Sequence, residues 1–566
     1  MTKITKSATS GKSQKLRIIP LGGLEEVGRN MVVFEYGDDI IIIDLGLQFP
    51  EEDMPGIDYI IPNTAYLKDK KDKIRGVVIT HGHYDHIGAI PHSIGRLGNP
   101  PIYTAPLTRG MIMKRQEDFP NSPKLDIHPV KLTDKIKLGC FQVEFFHINH
   151  NIPDSMGIVI ETPVGRIIHT GDFKFDHSPI NEAPADLARI TQLGQEGVLI
   201  LMSDSTDAET PGHSLSESEI QKTLEEIFKG IEGRIITATF ASLLTRIQEV
   251  IWLAEKFGRQ VVVDGYSMKA NVAIAKELGY LKTEKHTLIS PKQANALPDN
   301  KVLILCTGAQ GEGNAVLMRL ATGEHRSLEI HPKDTVIFSS SVVPGNERSV
   351  QNLRDALYRK GAKVIHYEMM DVHAGGHAPS EDLKMMLNLV KPKFFMPIEG
   401  NYYMLKLHGE LAESVGLPAE NVMIASNGDV ILLDQKSIQL SKEKVPANYV
   451  MVDGLGVGDV GEIVLRDRQA MSKDGMFVII TVVDSKTGRV HGEPDIISRG
   501  FVYLRESKEM LDQTREKVKE IVKQSAFNEH TVNWAYVKDN IRDKVGQFLY
   551  TKTQRRPMVL PVVIEI

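Results

Sequence analysis

The sequence predicts an α/β protein with three parts: a layered α/β domain, a second α/β domain inserted into it, and a small C-terminal α+β domain. Strand-like and helix-like patterns alternate through the first third of the chain, which is typical of a layered α/β domain. A second alternating series, with its own apolar periodicity, begins near Ser214. After residue 370 the chain returns to the character of the first domain, which indicates an insertion.

These changes of pattern set the expected domain boundaries. The N-terminal residues are rich in Lys, Ser and Thr, and a glycine-rich segment precedes the last hundred residues. We expect a flexible tail at residues 1–14, the first part of the layered domain at 15–212, the inserted domain at 213–370, the second part of the layered domain at 371–448, a linker at 449–464 and the C-terminal α+β domain at 465–566.

The composition excludes two classes of protein. With 42% hydrophobic and 25% charged residues, the 566-residue chain has the balance of a globular protein, and its apolar runs are too short to span a membrane. A net charge of −6 argues against a histone-like nucleic-acid binder, but it allows an enzyme with a local basic channel. The two cysteines, Cys140 and Cys306, are expected to be free thiols, so we expect a cytoplasmic protein.

The first strands are predicted from runs of β-branched and apolar residues. A strand at 16–20 leads into the glycine-rich turn LGGLEEVGRN, and residues 31–35 and 40–43 predict a hairpin. Asp44 follows the hairpin directly. It is either a turn residue or a group that orients a ligand loop. The next β-branched run, at 76–80, predicts a buried strand.

The segment HGHYDH follows that strand and places four potential metal ligands within six residues: His81, His83, Asp85 and His86. The end of a strand is where an α/β sheet presents side chains to a ligand. In extended backbone, His81 and His83 point to the same side. Imidazole and carboxylate groups suit zinc and similar ions. The alternative is a solvated polar loop, but three closely spaced histidines favour a metal site. A helix is expected next, at 87–97.

Further ligand candidates follow later predicted strands. His150 comes after the alternating run FQVEFF, and Asp172 lies within HTGDFKFD after another apolar run. Asp204 ends a third run. Each is weak evidence alone. Together with the first segment, one more imidazole would complete a three-histidine site, and one carboxylate could bridge two ions.

The remaining elements belong to the inserted and C-terminal domains. Apolar residues at helical spacing follow Ser214, and the last hundred residues contain an amphipathic helix through Leu511 and Val518. Strands are expected at 234–239, 261–264, 302–306, 335–339, 476–483 and 558–566.

Over nearly its whole length, the sequence resembles the ribonuclease J family, from the β-CASP group of metallo-β-lactamase nucleases. Besides the HxHxDH segment, the stretches that carry the resemblance are LGG at 21–23 with Asn30, IPDS at 152–155, HTGDFKFD at 169–176, SDST at 203–206, FAS at 240–242, CTG at 306–308, PGNE at 344–347 and DGLGVGD at 453–459. The resemblance implies a metallo-β-lactamase αββα sandwich with an inserted β-CASP domain. It also implies a ribonuclease that hydrolyses RNA with a two-metal-activated water, as a 5′-to-3′ exonuclease and/or an endonuclease in RNA maturation and decay.

The resemblance also assigns roles to residues. It implies two divalent ions, with zinc favoured, the first held by His81, His83 and His150, and the second by Asp85 and His86, with Asp172 bridging. Catalysis would depend on Asp85, Asp172 and His377, with His377 as a general acid or phosphate contact. Asp44 and Asp204 would organise the surrounding shell.

This chain departs from the family pattern at several positions. Glu399 replaces a histidine that ligates the second metal, so we expect a retained but more oxygen-rich site that could favour Mn²⁺ or Mg²⁺. Tyr84 replaces a glutamate that is not a ligand. Changes after residue 242 and at Gly375 weaken the implied 5′-phosphate pocket. The expected substrate contacts are Ser242, Leu243, Leu244, Arg246, His373, Ala374, Gly375, Gly376 and His377.

Two other functions fit the residues. The chain could be a catalytically weak RNA-binding subunit that assembles with an active paralogue, because Glu399 and Gly375 depart from the family pattern. It could be a small-molecule metallo-hydrolase, although the large insertion and His377 argue against this. A DNA nuclease is a variant of the first hypothesis. The expected partners are single-stranded RNA with a 5′-monophosphate, a second or further copies in a homodimer or homotetramer assembled through the C-terminal domain, and a paralogue or other RNA-decay proteins.

Overall fold

The computed structural model describes residues 14–51, 53–343, 345–484, 487, 489–502, 507–526 and 533–566. The expected flexible tail therefore lies outside the described residues, apart from Gln14, and so does Pro344 of the PGNE motif. The chain forms two compact units. One contains Met1–Gln48 and Ile61–Tyr449, and the other contains Phe49–Ile60 and Val450–Ile566.

The part of the chain before the insertion is rich in strands. Its elements are β1 (Leu16–Gly22), β2 (Met31–Tyr36), β3 (Asp39–Ile43), β4 (Tyr59–Ile61), β5 (Ile74–Val78), α1 (Tyr84–Ile87), α2 (Ile90–Ser93), β6 (Ile102–Thr104), α3 (Pro106–Gln116), β7 (Ile127–Pro129), β8 (Lys135–Leu138), β9 (Phe141–His147), β10 (Met156–Thr162), β11 (Gly165–His169), α4 (Leu187–Glu196) and β12 (Ile200–Asp204).

In the next part, helices and strands alternate. Its elements are α5 (Glu217–Lys229), β13 (Ile235–Ala238), α6 (Leu244–Lys256), β14 (Gln260–Asp264), α7 (Tyr266–Glu277), α8 (Pro291–Ala294), β15 (Val302–Cys306), α9 (Val316–Thr322), β16 (Thr335–Phe338), α10 (Glu347–Arg359), β17 (Lys363–His366), α11 (Ser380–Val390), β18 (Phe394–Ile398), α12 (Tyr402–Ser414), β19 (Asp429–Leu433) and β20 (Ile438–Lys444).

Two sheets form the layered domain. The strand order is β20-β19-β1-β2-β3-β5-β6-β7 in the eight-stranded sheet and β18-β12-β11-β10-β9-β8 in the six-stranded sheet. Apolar side chains of both sheets, such as Ile18 and Phe34 from one and Phe141 and Ile158 from the other, share one buried cluster. The opposite face of the six-stranded sheet packs on α4, α11 and α12. This is the expected metallo-β-lactamase sandwich.

The chain re-enters this sandwich after the insertion. β18 pairs in parallel with β12, with Ile200 opposite Phe394, and β19 pairs antiparallel with β1. The inserted part has a separate five-stranded sheet in the order β14-β15-β13-β16-β17, in which every neighbouring pair is parallel. Its strands are almost wholly apolar, because a parallel sheet is covered by helices on both faces. The predicted insertion of an α/β domain is confirmed.

The helix expected at 87–97 differs in the structure. Two short helices, α1 and α2, replace it, and α1 begins at Tyr84 inside the HGHYDH segment. Pro91 explains the break, because a proline in a helix interior removes a hydrogen bond and clashes with the preceding turn. At the start of α2 its missing N–H has no cost. Asp85 and His86 therefore lie on the first turn of a helix.

The second unit contains β21 (Val450–Asp453), β22 (Gly456–Val457), α13 (Glu462–Asp474), β23 (Met476–Val483), β24 (Asp495–Arg499), α14 (Lys508–Ala526), α15 (Trp534–Thr553) and β25 (Met558–Glu565). Its main sheet has the order β24-β23-β25, and one face packs on α14 and α15. Residues 449–464, where we expected a linker, contain two short strands and the start of α13.

Two further observations concern the whole chain. Both cysteines are free: Cys306 is buried and Cys140 is half-buried. Among the helices of the described ranges, none is long and apolar enough to cross a membrane.

Candidate metal centre

The predicted ligands meet where several strands of the two sheets end. The HGHYDH segment follows β5, His150 follows β9 and Asp172 follows β11. Asp204 ends β12, and Glu399 directly follows β18, the neighbour of β12. Because neighbouring strands end at one edge of a sheet, residues far apart in sequence converge there.

Three imidazoles form the first group. His81 Nε2 lies 3.1 Å from His83 Nδ1, and His150 Nε2 lies 3.0 Å from the same atom. Asp172 Oδ2 is 3.6 Å from Nε2 of both His81 and His150. Nitrogens bound tetrahedrally to one zinc ion at about 2.0–2.1 Å would lie roughly 3.3 Å apart. The donor set and its spacing therefore fit a divalent ion.

A carbonyl from the far side of the insertion holds His150 in place. His150 Nδ1 donates to the Gly376 carbonyl oxygen at 2.7 Å, which leaves Nε2 to face the other imidazoles. A Cβ at position 376 would stand 2.8 Å from His150 Cε1 and 2.5 Å from Asn151 Nδ2. Only glycine allows this close approach.

The second group lies on the other side of Asp172. His86 Nε2 is 3.2 Å from Asp172 Oδ1 and 3.5 Å from Asp85 Oδ2. The two oxygens of Asp172 therefore face different groups, the arrangement that a bridging carboxylate needs. Asp85, His86 and Asp172 are close enough to share one ion.

Asp44 fixes the orientation of His86. Its Oδ2 accepts hydrogen bonds from His86 Nδ1 at 2.7 Å and from Thr80 Oγ1 at 2.8 Å, and its Oδ1 accepts one from Thr80 N at 2.8 Å. Asp44 is buried and adopts a left-handed backbone with φ +61°. A carboxylate behind a ligating histidine sets its tautomer and raises its basicity.

The backbone around Asp44 also holds the ligand segment. Leu45 N donates to the His86 carbonyl at 2.8 Å, and Leu47 N donates to the Tyr84 carbonyl at 3.0 Å. Gly46 lies between them, where a Cβ would come within 1.5 Å of the Asp85 carbonyl oxygen. The residues after β3 therefore pack so closely against the ligand segment that position 46 must be glycine.

The charges of the site call for a cation. Burial alone would lower the pKa of His86, but the carboxylates of Asp172, Asp85 and Asp44 raise it well above its ordinary value. Burial lowers the pKa of His81 and of His150 well below the usual range, so these imidazoles are neutral and able to ligate. Three carboxylates around one histidine leave excess negative charge that a divalent ion would neutralise.

Glu399 lies at the edge of the second group. It adopts a left-handed backbone with φ +57°, and its carboxylate is near Asp44 and His86. Burial and the charge of Asp172 raise the pKa of Glu399 well above its ordinary value. Its buried Oε2 has no hydrogen-bond partner among the described residues. An orphaned carboxylate oxygen at this position fits a role as a cation ligand.

His377 and Asp204 form a pair beside the bridging carboxylate. His377 Nδ1 donates to Asp204 Oδ2 at 2.8 Å, and Thr206 fixes the other oxygen of Asp204 through its N–H and hydroxyl at 2.9 and 2.7 Å. Burial opposes protonation, but the nearby carboxylates of Asp204 and Asp172 raise the pKa of His377 to about 10. His377 is therefore a cation near neutral pH, and Nε2 is its remaining donor.

Comparisons with known proteins agree with this geometry. The description "Metallo-beta-lactamase superfamily" matches residues 24–228, "Ribonuclease J, beta-CASP domain" matches 232–357, and "Ribonuclease J C-terminal domain" matches 463–566. Ribonuclease J 1 of Streptococcus pyogenes is 42% identical over 98% of both chains. The chain belongs to the ribonuclease J family.

Other relatives support this membership. Ribonuclease J2 of Bacillus subtilis is 37% identical, and Ribonuclease J 2 of Staphylococcus aureus is 38% identical, each over 98% of this chain and 99% of the relative. A crystal structure of a protein of unknown function from Enterococcus faecalis covers 74% of this chain and 100% of its own, with a TM-score of 0.54 and 17% identity, and shows the fold alone. Membership makes the chain a metal-dependent nuclease of the ribonuclease J class.

The expected substrate contacts of this family member are not all accessible. Leu243, Leu244 and Ala374 are buried. Ser242 is half-buried and lies two residues before α6, and Gly375 is exposed. Near the metal groups, the structure brings together Gly376 and His377, through the His150 hydrogen bond and the Asp204 pair.

Arg246 has a different environment from the one we expected. It is fully buried, and its guanidinium forms ion pairs with Glu217 and Glu249 and donates to Ser339 Oγ and the Val372 carbonyl, both at 2.6 Å. Lys174 Nζ reaches Glu217 at 3.0 Å. Through these contacts the guanidinium holds the segment before His373. The expected phosphate contact by Arg246 stays a prediction.

His373 follows this segment and is half-buried. Burial and the charge of Arg246 lower the pKa of His373 to about 3, so it is a neutral imidazole. Its Nδ1 is buried and has no hydrogen-bond partner in the part of the chain that the structure describes.

Sequence reasoning missed three residues of this centre. Thr80 supports Asp44 with two hydrogen bonds, Gly46 allows the backbone contact with Asp85, and Asp207 lies beside His377. In the sequence, only their positions near predicted site residues could have indicated them. Thr80 directly precedes His81, Gly46 follows Asp44 by two residues, and Asp207 follows Asp204 by three residues.

Proposed function

We propose that this chain hydrolyses phosphodiester bonds of single-stranded RNA at a two-metal centre, as a 5′-to-3′ exonuclease and/or an endonuclease in RNA maturation and decay. The observation that carries the proposal is the bridging geometry of Asp172. One of its oxygens faces His81 and His150, and the other faces His86. Family membership supplies the substrate class.

The residues that would hold the ions follow from these contacts. His81, His83 and His150 would hold the first ion, and zinc suits three imidazoles. Asp85, His86 and Glu399 would hold the second, with Asp172 bridging, and the carboxylates would favour Mn²⁺ or Mg²⁺ there. When bound, the ions supply Lewis-acid activation of water and neutralise charge on the phosphoryl oxygens.

The chain's own residues complete the reaction. A water oxygen forms a bond to phosphorus, and the bond from phosphorus to the ribose 3′-oxygen breaks. His377 gives its Nε2 proton to that 3′-oxygen, the attacking water releases a proton to solvent, and solvent returns one proton to Nε2, which restores the imidazolium. Asp204 holds His377 protonated and oriented through Nδ1. The expected products carry 5′-phosphate and 3′-hydroxyl ends.

A preference for a 5′-monophosphate would depend on few groups. Arg246 is occupied by its ion pairs, so Ser242 and His373 are the polar side chains left to contact a terminal phosphate. We expect a smaller difference between 5′-monophosphate and 5′-triphosphate RNA than an open arginine would give, because the charge contact is missing.

The test is cleavage of matched RNAs that carry either 5′ end, by purified protein with and without chelator. Zn²⁺, Mn²⁺ or Mg²⁺ is then restored separately. We expect the chelator to abolish cleavage and a divalent ion to restore it. Cleavage that resists chelation, or no cleavage with any metal, would contradict the proposal. Asp172→Asn is the inactive control, because it removes the bridging charge.

A Glu399→His variant tests the second ion site separately. If Glu399 is a ligand, replacing its carboxylate with imidazole should shift the preferred ion from Mn²⁺ or Mg²⁺ toward Zn²⁺. The measurement is the cleavage rate with each ion, together with the amount of each ion bound. An unchanged preference would show that Glu399 does not ligate.

A second candidate function is an RNA-binding subunit that supports an active paralogue. The observation that favours it is Arg246, whose guanidinium already binds Glu217 and Glu249 within the protein. The same RNAs distinguish the candidates: this function predicts RNA binding without cleavage under every metal condition.

We also propose a cytoplasmic homodimer or homotetramer assembled through the C-terminal domain. Light scattering of the purified protein would test the assembly.

A further inference from the structure

The segment after β12 contains one acidic side chain whose carboxylate has no hydrogen-bond partner among the described residues. Asp204 binds His377 and Thr206, and Ser205 Oγ lies 3.0 Å from His408 Nδ1. Further along, Glu209 accepts a hydrogen bond from the Tyr403 hydroxyl at 3.0 Å. Asp207 lies between these residues, and its carboxylate makes no hydrogen bond with any described residue.

The position of Asp207 is next to the proposed proton donor. Its charge acts on His377, and its Oδ2 lies 3.2 Å from the point where a Cβ would stand at Gly375. Apart from Gly375 and its two chain neighbours, no other described residue has an atom within 4 Å of that point. Gly375 is exposed, so the space above it is open to a ligand on one side and bounded by the Asp207 carboxylate on the other.

The Asp207 carboxylate determines which kind of group can bind in the space above Gly375. An ionised carboxylate accepts hydrogen bonds and donates none, so it repels a phosphate and attracts a hydroxyl or N–H donor. His377 would protonate the 3′-oxygen of the ribose that leaves. The 2′-hydroxyl is on the adjacent carbon of that ribose, and it is the group by which proteins distinguish RNA from DNA. Carboxylates bind ribose 2′-hydroxyls in dinucleotide sites in the same way.

We propose that Asp207 accepts a hydrogen bond from the 2′-hydroxyl of the nucleotide on the 5′ side of the cleaved bond, and so makes the enzyme select RNA over DNA. Gly375 contributes by leaving room for the ribose, because any side chain there would crowd Asp207. This inference rests on the proposed function of the site. It assigns the substrate contact that neither the metal ligands nor His377 supplies.

The experiment compares an RNA oligonucleotide with the same strand carrying one 2′-deoxyribose on the 5′ side of the cleaved bond. Wild-type protein with its restored ion should cleave the RNA with a kcat/KM about 10- to 100-fold higher, the value of a hydrogen bond to a charged group. Asp207→Ala should cleave both strands at the lower rate. Asp207→Asn, whose amide oxygen still accepts, should keep part of the difference.

Two controls separate this role from others. Glu209→Gln changes a nearby carboxylate that is already paired with Tyr403, and it should keep the wild-type difference. Because the Asp207 side chain has no hydrogen-bond partner among the described residues, Asp207→Ala should melt at the wild-type temperature. Equal cleavage of both strands by wild-type protein, or an undiminished difference in Asp207→Ala, would overturn the inference while leaving the ribonuclease activity established.

A binding measurement answers the question without cleavage. Fluorescence anisotropy with both strands, in the presence of chelator, should show tighter binding of the RNA by wild-type protein and equal binding by Asp207→Ala. If wild-type protein cleaves neither strand but retains this difference in binding, the proposed hydrolysis fails and the role of Asp207 stands. If the protein cleaves neither strand and also binds both strands equally, the proposed hydrolysis and the proposed role of Asp207 both fail.

Discussion

Replacing Asp44 with asparagine should weaken metal binding without unfolding the protein. Asp44 uses both oxygens: three hydrogen bonds, from His86 Nδ1, Thr80 Oγ1 and Thr80 N, all lie between 2.7 and 2.8 Å. Asparagine has the same shape and tolerates the left-handed backbone at φ +61°. However, it carries no charge and has one acceptor oxygen, so its amide N–H₂ would face either His86 or Thr80.

The size of the effect follows from these contacts. Losing the carboxylate leaves His86 free to turn and makes it a weaker ligand. Replacing such a supporting group typically lowers metal affinity or activity about 10- to 100-fold. This corresponds to roughly 1.4–2.7 kcal/mol at 1.36 kcal/mol per tenfold change. Because His86 belongs to the second group, the loss should fall on the second ion.

The assay is competition for Zn²⁺ and Mn²⁺ against a coloured chelator, together with RNA cleavage at limiting and excess metal. Excess metal should restore part of the lost rate. Asp429→Asn is a matched control. Asp429 is also buried, accepts from Ser426 N and pairs with Lys444, both at 2.9 Å, but it lies on β19 and has no hydrogen bond or ion pair with a proposed ligand among the described residues. Equal metal affinity in wild type and Asp44→Asn would refute the reasoning.

Three other predictions concern the stability of the fold. Gly46→Ala should lose metal binding and on the order of 3 kcal/mol of stability, because its Cβ would lie 1.5 Å from a backbone oxygen. Gly313→Ala should be neutral in the same denaturant titration, because among the described residues only its own chain neighbours lie within 4 Å of the added Cβ. Arg246→Met should cost about 3–5 kcal/mol by leaving Glu217 and its partner glutamate buried without the guanidinium, and a loss below about 1 kcal/mol in urea unfolding would contradict this. His408 is buried, and burial lowers its pKa to about 3, below the ordinary 6.5, so the unfolded chain binds more protons and stability falls as pH drops below 6.5. Between pH 7.5 and pH 5 this group should cost about 2 kcal/mol, a loss that His408→Leu should remove.

The sequence predicted most strands because their residues carry the signal locally. The apolar runs at 302–306 and 476–483 became β15 and β23 with the expected bounds. The expected helix at 87–97 was wrong as one element, because Pro91 ends one short helix and starts another. Local propensity indicates that a segment is helical more reliably than where it breaks.

Within the centre, sequence reasoning predicted candidate ligands that the structure brings together, but it did not predict every environment. Arg246 fitted a phosphate contact by its position after the FAS motif, yet its guanidinium binds two glutamates within the protein. Glu217 lies 29 residues before Arg246 in sequence, and no spacing rule relates them. Asp207 had no assigned role either, because its significance depends on which neighbours already have partners.

By itself, the sequence determined the class of fold, the metal-binding segment and the family, because local patterns and short motifs of contiguous residues indicate each of them. Only the tertiary structure decided how the ligands are oriented. The Gly376 carbonyl that holds His150 is 226 residues away from it, across the whole insertion. Asp44, which holds His86, is 42 residues from it. Such contacts form only when the ends of separate strands meet, since hydrogen bonds depend on distance in space rather than along the chain.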